Sequence, residues 1–197
     1  MNQQFNKKTP AILVVDDFYQ DPLAIHEFAL QQQYVEDLRY YKGQRTAQAH
    51  LFPYVKEEFE RLLGIQIIDW MAQPMNGVFQ LTQANDPIVW HSDSQQYAAA
   101  IYLTRENLLI PHEDNMGTSF WRNTELGYRR PPVNQEDANI VYSEYNLTHP
   151  DNWSLVDKIG GVFNRLVIWD AKLIHSATQY PSGYNRLAQL FFFTGNK

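Results

Sequence analysis

The chain's 197 residues are 44% hydrophobic and 19% charged, a balance that fits one folded domain with a full core and excludes disorder. A net charge of −6 is the wrong sign for gripping a phosphate backbone, so nucleic acid is not an expected partner. With no cysteine, disulfides, thiolate metal sites and a cysteine nucleophile are excluded, and any metal must sit on His, Asp or Glu.

The opening Met1–Lys8 is polar and lacks the apolar run of a signal peptide. No stretch approaches the roughly 20 apolar residues of a membrane span, so a cytoplasmic protein is expected. Ala11–Val15 is β-branched and reads as a strand. Asp21 and Pro22 form a helix start, with Asp as N-cap and Pro at the first helical position. Apolar residues from Leu23 to Leu30 follow at near-helical spacing, and the helix fades in the run Gln31–Gln33. A second helix is predicted over Val55–Leu63, with Phe59, Leu62 and Leu63 on one face and Gly64 as its stop.

Beyond Gly64 the texture turns to short β-branched and aromatic runs separated by polar turns. Strands are predicted at Ile65–Trp70, Gly77–Thr82, Pro87–Trp90, Tyr97–Thr104, Gly117–Trp121, Gly161–Trp169 and Leu187–Thr194. An aromatic share of 14% suits strands and pocket walls. The expected class is α+β, mainly β: a jelly-roll core over about 65–197, supported by a helical N-terminal part over about 1–64. The polar, Pro- and Asn-rich stretch of about 105–160 reads as a loop-rich insertion that shapes substrate access.

Three residues stand out as candidate metal ligands. His91-Ser92-Asp93 follows the apolar Ile88-Val89-Trp90, and in an extended segment residues i and i+2 point to one side. His175 lies just beyond Asn164–Trp169, the most strongly strand-like run in the chain. Two imidazoles and a carboxylate on one face of an ion leave positions open, the arrangement that suits non-haem Fe(II) oxygenases. Arg186 opens the last long strand and shares a face with Ala188, Leu190 and Phe192. An arginine on an otherwise apolar face needs an anion, either a bound carboxylate or a structural Asp or Glu.

Together these segments resemble the Fe(II)/2-oxoglutarate-dependent oxygenase superfamily, in its prolyl-hydroxylase-like branch, including a group of uncharacterised bacterial proteins of that type. The resemblance rests on Trp90-His91-Ser92-Asp93, the strand Ala99–Thr104, Gly117-Thr118, Arg165–Asp170 through His175-Ser176-Ala177, and Arg186. It covers about 77–193, and the opening Val14–Phe18 is similar to the bacterial group as well. It implies a double-stranded β-helix with Fe(II) on His91, Asp93 and His175, and with 2-oxoglutarate and O₂ as cosubstrates. Arg186 would bind the distal carboxylate of 2-oxoglutarate, Tyr102 would add a hydroxyl to it, and Gln80 is a further candidate donor.

There are departures from the family pattern. Ala188 stands where some relatives carry a Ser or Thr donor, and Gln80 and Thr82 stand where some have Asn and Tyr. Asp93 implies hydroxylation over halogenation, because related halogenases replace this carboxylate. His26, His50, His112 and His149 match no motif position. Two other readings stay open here: a cupin-like metal enzyme that does not use 2-oxoglutarate, and a non-catalytic binding domain on the same fold. Phe120, Trp121, Tyr128, Arg129, Arg130, Tyr142, Tyr145 and Trp153 belong to the stretch expected to form the mouth; they could clamp a small-molecule or peptide substrate or pack over the barrel's open edge, and packing is the expectation for any one of them. The sequence specifies neither that substrate nor the oligomeric state.

Overall fold

The computed structural model describes residues 10–36, 43–83, 86, 88–105, 116–178 and 185–196. Strand β1 (Ile12–Val15) is followed by helix α1 (Pro22–Leu30), whose N-cap Asp21 accepts from the Ala24 N–H at 3.1 Å. Two short strands, β2 (Tyr34–Glu36) and β3 (Gln44–Thr46), lead to helix α2 (Val55–Leu63), which ends on Gly64 at φ 65°. Capping residues thus fix the start of α1 and the end of α2. Next come β4 (Gln66–Ile67), β5 (Val78–Gln83), β6 (Tyr97–Tyr102) and β7 (Thr118–Asn123). Helices α3 (Gln135–Val141) and α4 (Glu144–Thr148) precede β8 (Trp153–Ile159). The chain closes with β9 (Leu166–Asp170), β10 (His175–Ala177), β11 (Asn185–Phe193) and β12 (Gly195–Asn196).

Among the described residues, seven strands form the major sheet in the order β1-β9-β6-β11-β5-β3-β2, and three form a minor sheet, β10-β7-β8. The N-terminal part is therefore more than helical support, since β1 completes one edge of the major sheet and β2 and β3 the other. Facing sheets that share an inner apolar layer make the expected double-stranded β-helix.

Period-two alternation divides the major sheet into two faces. Outward residues Phe79, Ile101, Leu166, Ile168, Phe191 and Phe193 form one core with Ala29 of α1 and Val55, Phe59 and Leu63 of α2. Phe59 meets Phe191 edge-on at 5.1 Å, and Trp70 stacks on Phe191 at 5.5 Å. Inward residues Val78, Ala98, Ala100, Tyr102, Val167, Trp169, Ala188 and Leu190 form a second core with Phe120 of the minor sheet. This inner set is rich in alanine, and Ala100, with Leu190 and Trp169, borders a cavity on this face.

Some predicted elements take another form. Ile65–Trp70 shrinks to two paired residues, because Asp69 turns to accept the Thr194 N–H (2.7 Å) while Trp70 joins the outer core. Ile88–Trp90 is unpaired, and the segment reaches the minor sheet only through a bridge between His91 and His175; Pro87 lies outside the described residues. Within the stretch expected to be loops, α3, α4 and β8 are formed. Asn134 and Ser143 accept the Asp137 and Asn146 N–H groups as N-caps (2.8 and 3.2 Å), and β8 pairs along the open edge of β7. Short helices with little apolar periodicity depend on caps and tertiary packing, which is why their sequence reads as loop.

Candidate metal centre

Backbone pairing brings the three candidate ligands together. His91 and His175 exchange both main-chain hydrogen bonds, at 3.1 and 2.8 Å, and the Asp93 N–H donates to the Ala171 carbonyl at 2.8 Å. Lys172 Nζ donates to the backbone carbonyls of Asp93 (3.0 Å) and Ser94 (2.8 Å), fixing the turn from the far side. Ser92 points away, with Oγ 3.4 Å from the Tyr142 hydroxyl.

The outcome is a cluster of three ligand atoms, all within 4.8 Å of one another. His175 Nε2 is 3.4 Å from Asp93 Oδ2, and His91 Nε2 is 3.8 Å from Asp93 Oδ1. His91 Nδ1 lies 3.0 Å from the Val89 carbonyl and His175 Nδ1 2.8 Å from that of Leu173. A carbonyl only accepts, so each ring carries a proton on Nδ1, and the neutral form of each would turn its Nε2 lone pair to the cluster. Asp93 Oδ2 is buried without a hydrogen-bond partner. Lone pairs converging on a partnerless carboxylate oxygen repel one another unless a cation lies between them, so these residues fit a divalent metal.

The electrostatics favour the ligating forms. Burial and the neighbouring His175 push the His91 pKa down to about 4, despite the opposing pull of Asp93 and the Val89 carbonyl. Burial works to raise the Asp93 pKa, but the adjacent His175, with His91 and Arg45, holds it below the ordinary carboxylate value. Near neutral pH His91 is therefore uncharged and Asp93 ionised, as a metal requires.

The triad opens on a cavity of about 450 Å³ whose lining includes Arg45, Gln80, Thr82, Thr118, Trp169, Arg186, Leu190 and Phe192. Arg186 is only 3% exposed. Its Nε donates to the Met116 carbonyl at 2.7 Å, and its guanidinium lies 5.2 Å from the centre of the Tyr102 ring. Among the described residues no carboxylate pairs with it, so the structural ion pair finds no partner there. Directly across the ladder from Arg186 stands Thr82, buried, with Oγ1 lacking a hydrogen-bond partner. Trp169, packed edge-on to His175 at 5.0 Å, likewise has a buried, unpartnered indole N–H.

Two predicted residues differ in their relation to this cavity. Gln80 lines it, whereas Tyr102 stands behind its wall, with its hydroxyl 2.7 Å from Thr118 Oγ1. Burial raises the Tyr102 pKa against the lowering effects of Arg186 and Thr118, so the hydroxyl keeps its proton. Thr82, Thr118, Trp169 and Arg45 are additional lining residues. Alternation with Gln80 puts Thr82 on the inner face, but its position opposite Arg186 needs the ladder register, which no local pattern supplies. The aromatic and arginine residues named for the 105–160 stretch do not line the cavity, and packing is the role most of the aromatics take. Trp121, Tyr128, Tyr142 and Trp153 instead pack with Trp90, Val141 and Ile174 in a separate apolar cluster, and Phe120 joins the inner core. Trp90 and Trp153 stack there with ring centres 5.6 Å apart. His112 and the rest of 106–115 lie outside the described residues.

A sequence profile described as a family of unknown function (DUF6445) matches residues 2–182. No curated protein sequence matches the chain. Solved structures share its fold at low identity. HygX from Streptomyces hygroscopicus, with nickel, 2-oxoglutarate and hygromycin B bound, aligns at TM-score 0.58 and 10% identity, over 96% of this chain and 84% of that one. A Pseudomonas putida prolyl-4-hydroxylase aligns at 0.51 and 14%, over 93% and 91%. A prolyl hydroxylase from Trichoplax adhaerens, in complex with a hypoxia inducible factor peptide fragment, aligns at 0.50 and 12%, over 93% and 83%. The double-stranded β-helix of 2-oxoglutarate-dependent oxygenases is thus the fold of this chain. Among the described residues, no helix is long and apolar enough to cross a membrane.

Proposed function

This chain belongs to the DUF6445 family, and we propose that it is a non-haem Fe(II)/2-oxoglutarate-dependent dioxygenase that hydroxylates an organic substrate. One observation carries the reading: a buried guanidinium and a His-Asp-His cluster line the same cavity. A metal centre alone has no need of Arg186, which is why a cupin-like enzyme without a dicarboxylate cosubstrate is the weaker reading. Bound Fe(II), with 2-oxoglutarate and O₂, would supply the oxidising chemistry at a C–H bond.

The chain's own residues would do the rest. His91, Asp93 and His175 would hold the metal, with the Val89 and Leu173 carbonyls fixing the ring tautomers. Arg186 would take the distal carboxylate bidentately, held for that task by the Met116 carbonyl. Thr82 and the hydroxyl pair Tyr102–Thr118 flank the guanidinium, and Gln80 would donate to the same ligand. Leu190, Phe192 and Trp169 would keep water from the reacting centre.

Anaerobic titration with Fe(II) and 2-oxoglutarate tests the reading. Wild-type protein should develop the visible charge-transfer band of the chelate, and His91→Ala should lose both band and iron. Arg186→Ala should retain iron yet bind 2-oxoglutarate at least about tenfold more weakly. Absence of the band from wild type, or equal 2-oxoglutarate binding by the Arg186 variant, would refute the proposal.

A further inference from the structure

We propose that Gln95 binds the substrate of this site, its Oε1 accepting a hydrogen bond from an N–H or O–H on an otherwise apolar molecule. The inference rests on the oxygenase reading above. Two short turns meet at the cavity. One runs from Asp69 to Asn76 and contributes Gln73, Pro74 and Met75 to the lining, and the other follows Asp93 and contributes Gln95. Gln95 Nε2 donates to Gln73 Oε1 at 3.1 Å, and Gln73 Nε2 donates to Asp69 Oδ2 at 3.1 Å. Asp69 Oδ1 in turn accepts the Thr194 N–H at 2.7 Å.

Asp69 sets the direction of this run of amides. A carboxylate only accepts, so Gln73 must turn its NH₂ toward Asp69 and its carbonyl toward Gln95. Gln95 must then turn its NH₂ toward Gln73, which leaves Oε1 as the group it offers to a ligand. Among the described residues that oxygen has no hydrogen-bond partner, and it is not sealed in the interior. Both turns are held in place. Asn76 accepts the Phe192 N–H at 3.0 Å and donates to the Trp70 carbonyl at 2.9 Å. The Ala171 N–H donates to the Gln96 carbonyl at 3.1 Å, beside the Lys172 bonds to Asp93 and Ser94. At most about 7 Å separates the Cα atoms of Asp93 and Gln95, so the acceptor shares a short turn with a metal ligand. Met75 and Val89 line the cavity while 39% and 43% exposed, which sets them at its opening, and Leu190 and Phe192 line it as well. A fixed acceptor beside apolar surface selects a neutral, donor-bearing ligand. A carboxylate would bring lone pairs against Oε1, and an ether supplies no hydrogen.

Matched pairs with and without a donor test this: 3-phenylpropan-1-ol against its methyl ether, and 3-phenylpropanamide against its N,N-dimethyl amide. Binding is read by ligand-observed NMR on full-length protein loaded with Zn(II) and 2-oxoglutarate, so that no turnover occurs. At least one donor-bearing member should bind about fivefold or more tighter than its methylated partner. Gln95→Met keeps the bulk, removes the acceptor and should erase that preference, which separates hydrogen bonding from the size of the added methyl groups. Asp69→Asn keeps the acceptor for Thr194 but offers Gln73 an NH₂. Both glutamine amides should then turn over, Gln95 should present N–H, and the donor preference should fall to within about twofold. Pairs that bind alike to wild type, or not at all, would overturn the proposal, as would a preference that survives in either variant. A tenfold loss of 2-oxoglutarate affinity in Gln95→Met would also overturn it, moving Gln95 to the cosubstrate and leaving the oxygenase reading intact. Failure of wild type to bind Zn(II) or 2-oxoglutarate would instead remove the oxygenase reading, and this inference with it.

Discussion

The two faces of the major sheet are built from the same strands and do opposite things. Along β11, Leu187, Phe191 and Phe193 point to the helices, while Arg186, Ala188, Leu190 and Phe192 point inward. The outer face is filled with interlocked rings. The inner face has alanine at Ala98, Ala100 and Ala188, and keeps a charged guanidinium and unpartnered polar atoms on Thr82, Trp169 and Asp93. Each such atom costs stability in the empty protein, and Arg186 costs more because it is charged. The difference teaches that the outer core carries the packing while the inner face holds a cavity and polar groups that folding alone does not satisfy.

That division can be broken from either side. The largest effect is expected at the metal cluster: Asp93→Ala should take turnover to background and abolish stoichiometric iron, yet leave thermal unfolding of the metal-free protein nearly unchanged. A collapse in apo stability would show that the inner face also carries the fold. On the outer face, Phe59→Ala should cost about 3–5 kcal/mol in urea unfolding, with activity per folded molecule retained. Ala100→Leu intrudes on the cavity. It should weaken 2-oxoglutarate binding by about tenfold or more, with a stability change of at most about 1–3 kcal/mol. The smallest effect belongs to Thr82→Val, which removes a buried unpartnered hydroxyl at constant shape. The apo protein should become equal or slightly more stable, and 2-oxoglutarate affinity should drop about fivefold. Calorimetric melts beside binding isotherms would expose any variant in which the two quantities fall together.

How much of this was legible in the sequence follows the same division. Outer-face helices announced themselves through Asp21-Pro22 and Gly64, whose capping chemistry is local. The strands announced themselves through β-branched and aromatic runs, and His91, Asp93, His175 and Arg186 through residue type, spacing and family resemblance. Hidden features all depended on register. Thr82 opposite Arg186, Arg45 beside Phe192 and Thr118 on Tyr102 join segments distant in sequence, so no window contains both partners. The tryptophans of the 105–160 stretch were open to two readings for a related reason. Composition alone does not tell an aromatic pocket wall from an aromatic core, and Trp90 stacked on Trp153 belongs to a core.

The bridge between His91 and His175 has a consequence for how the chain folds. Its two hydrogen bonds join segments separated by most of the β-helix, a contact whose loop-closure entropy must be met before it returns anything. An ion held by the same two residues and Asp93 would act as a staple across that long loop. It would favour the closed chain over the open one by mass action and slow its unravelling. Chelation should thus lengthen the lifetime of the native state in denaturant, even with no cosubstrate or oxygen present.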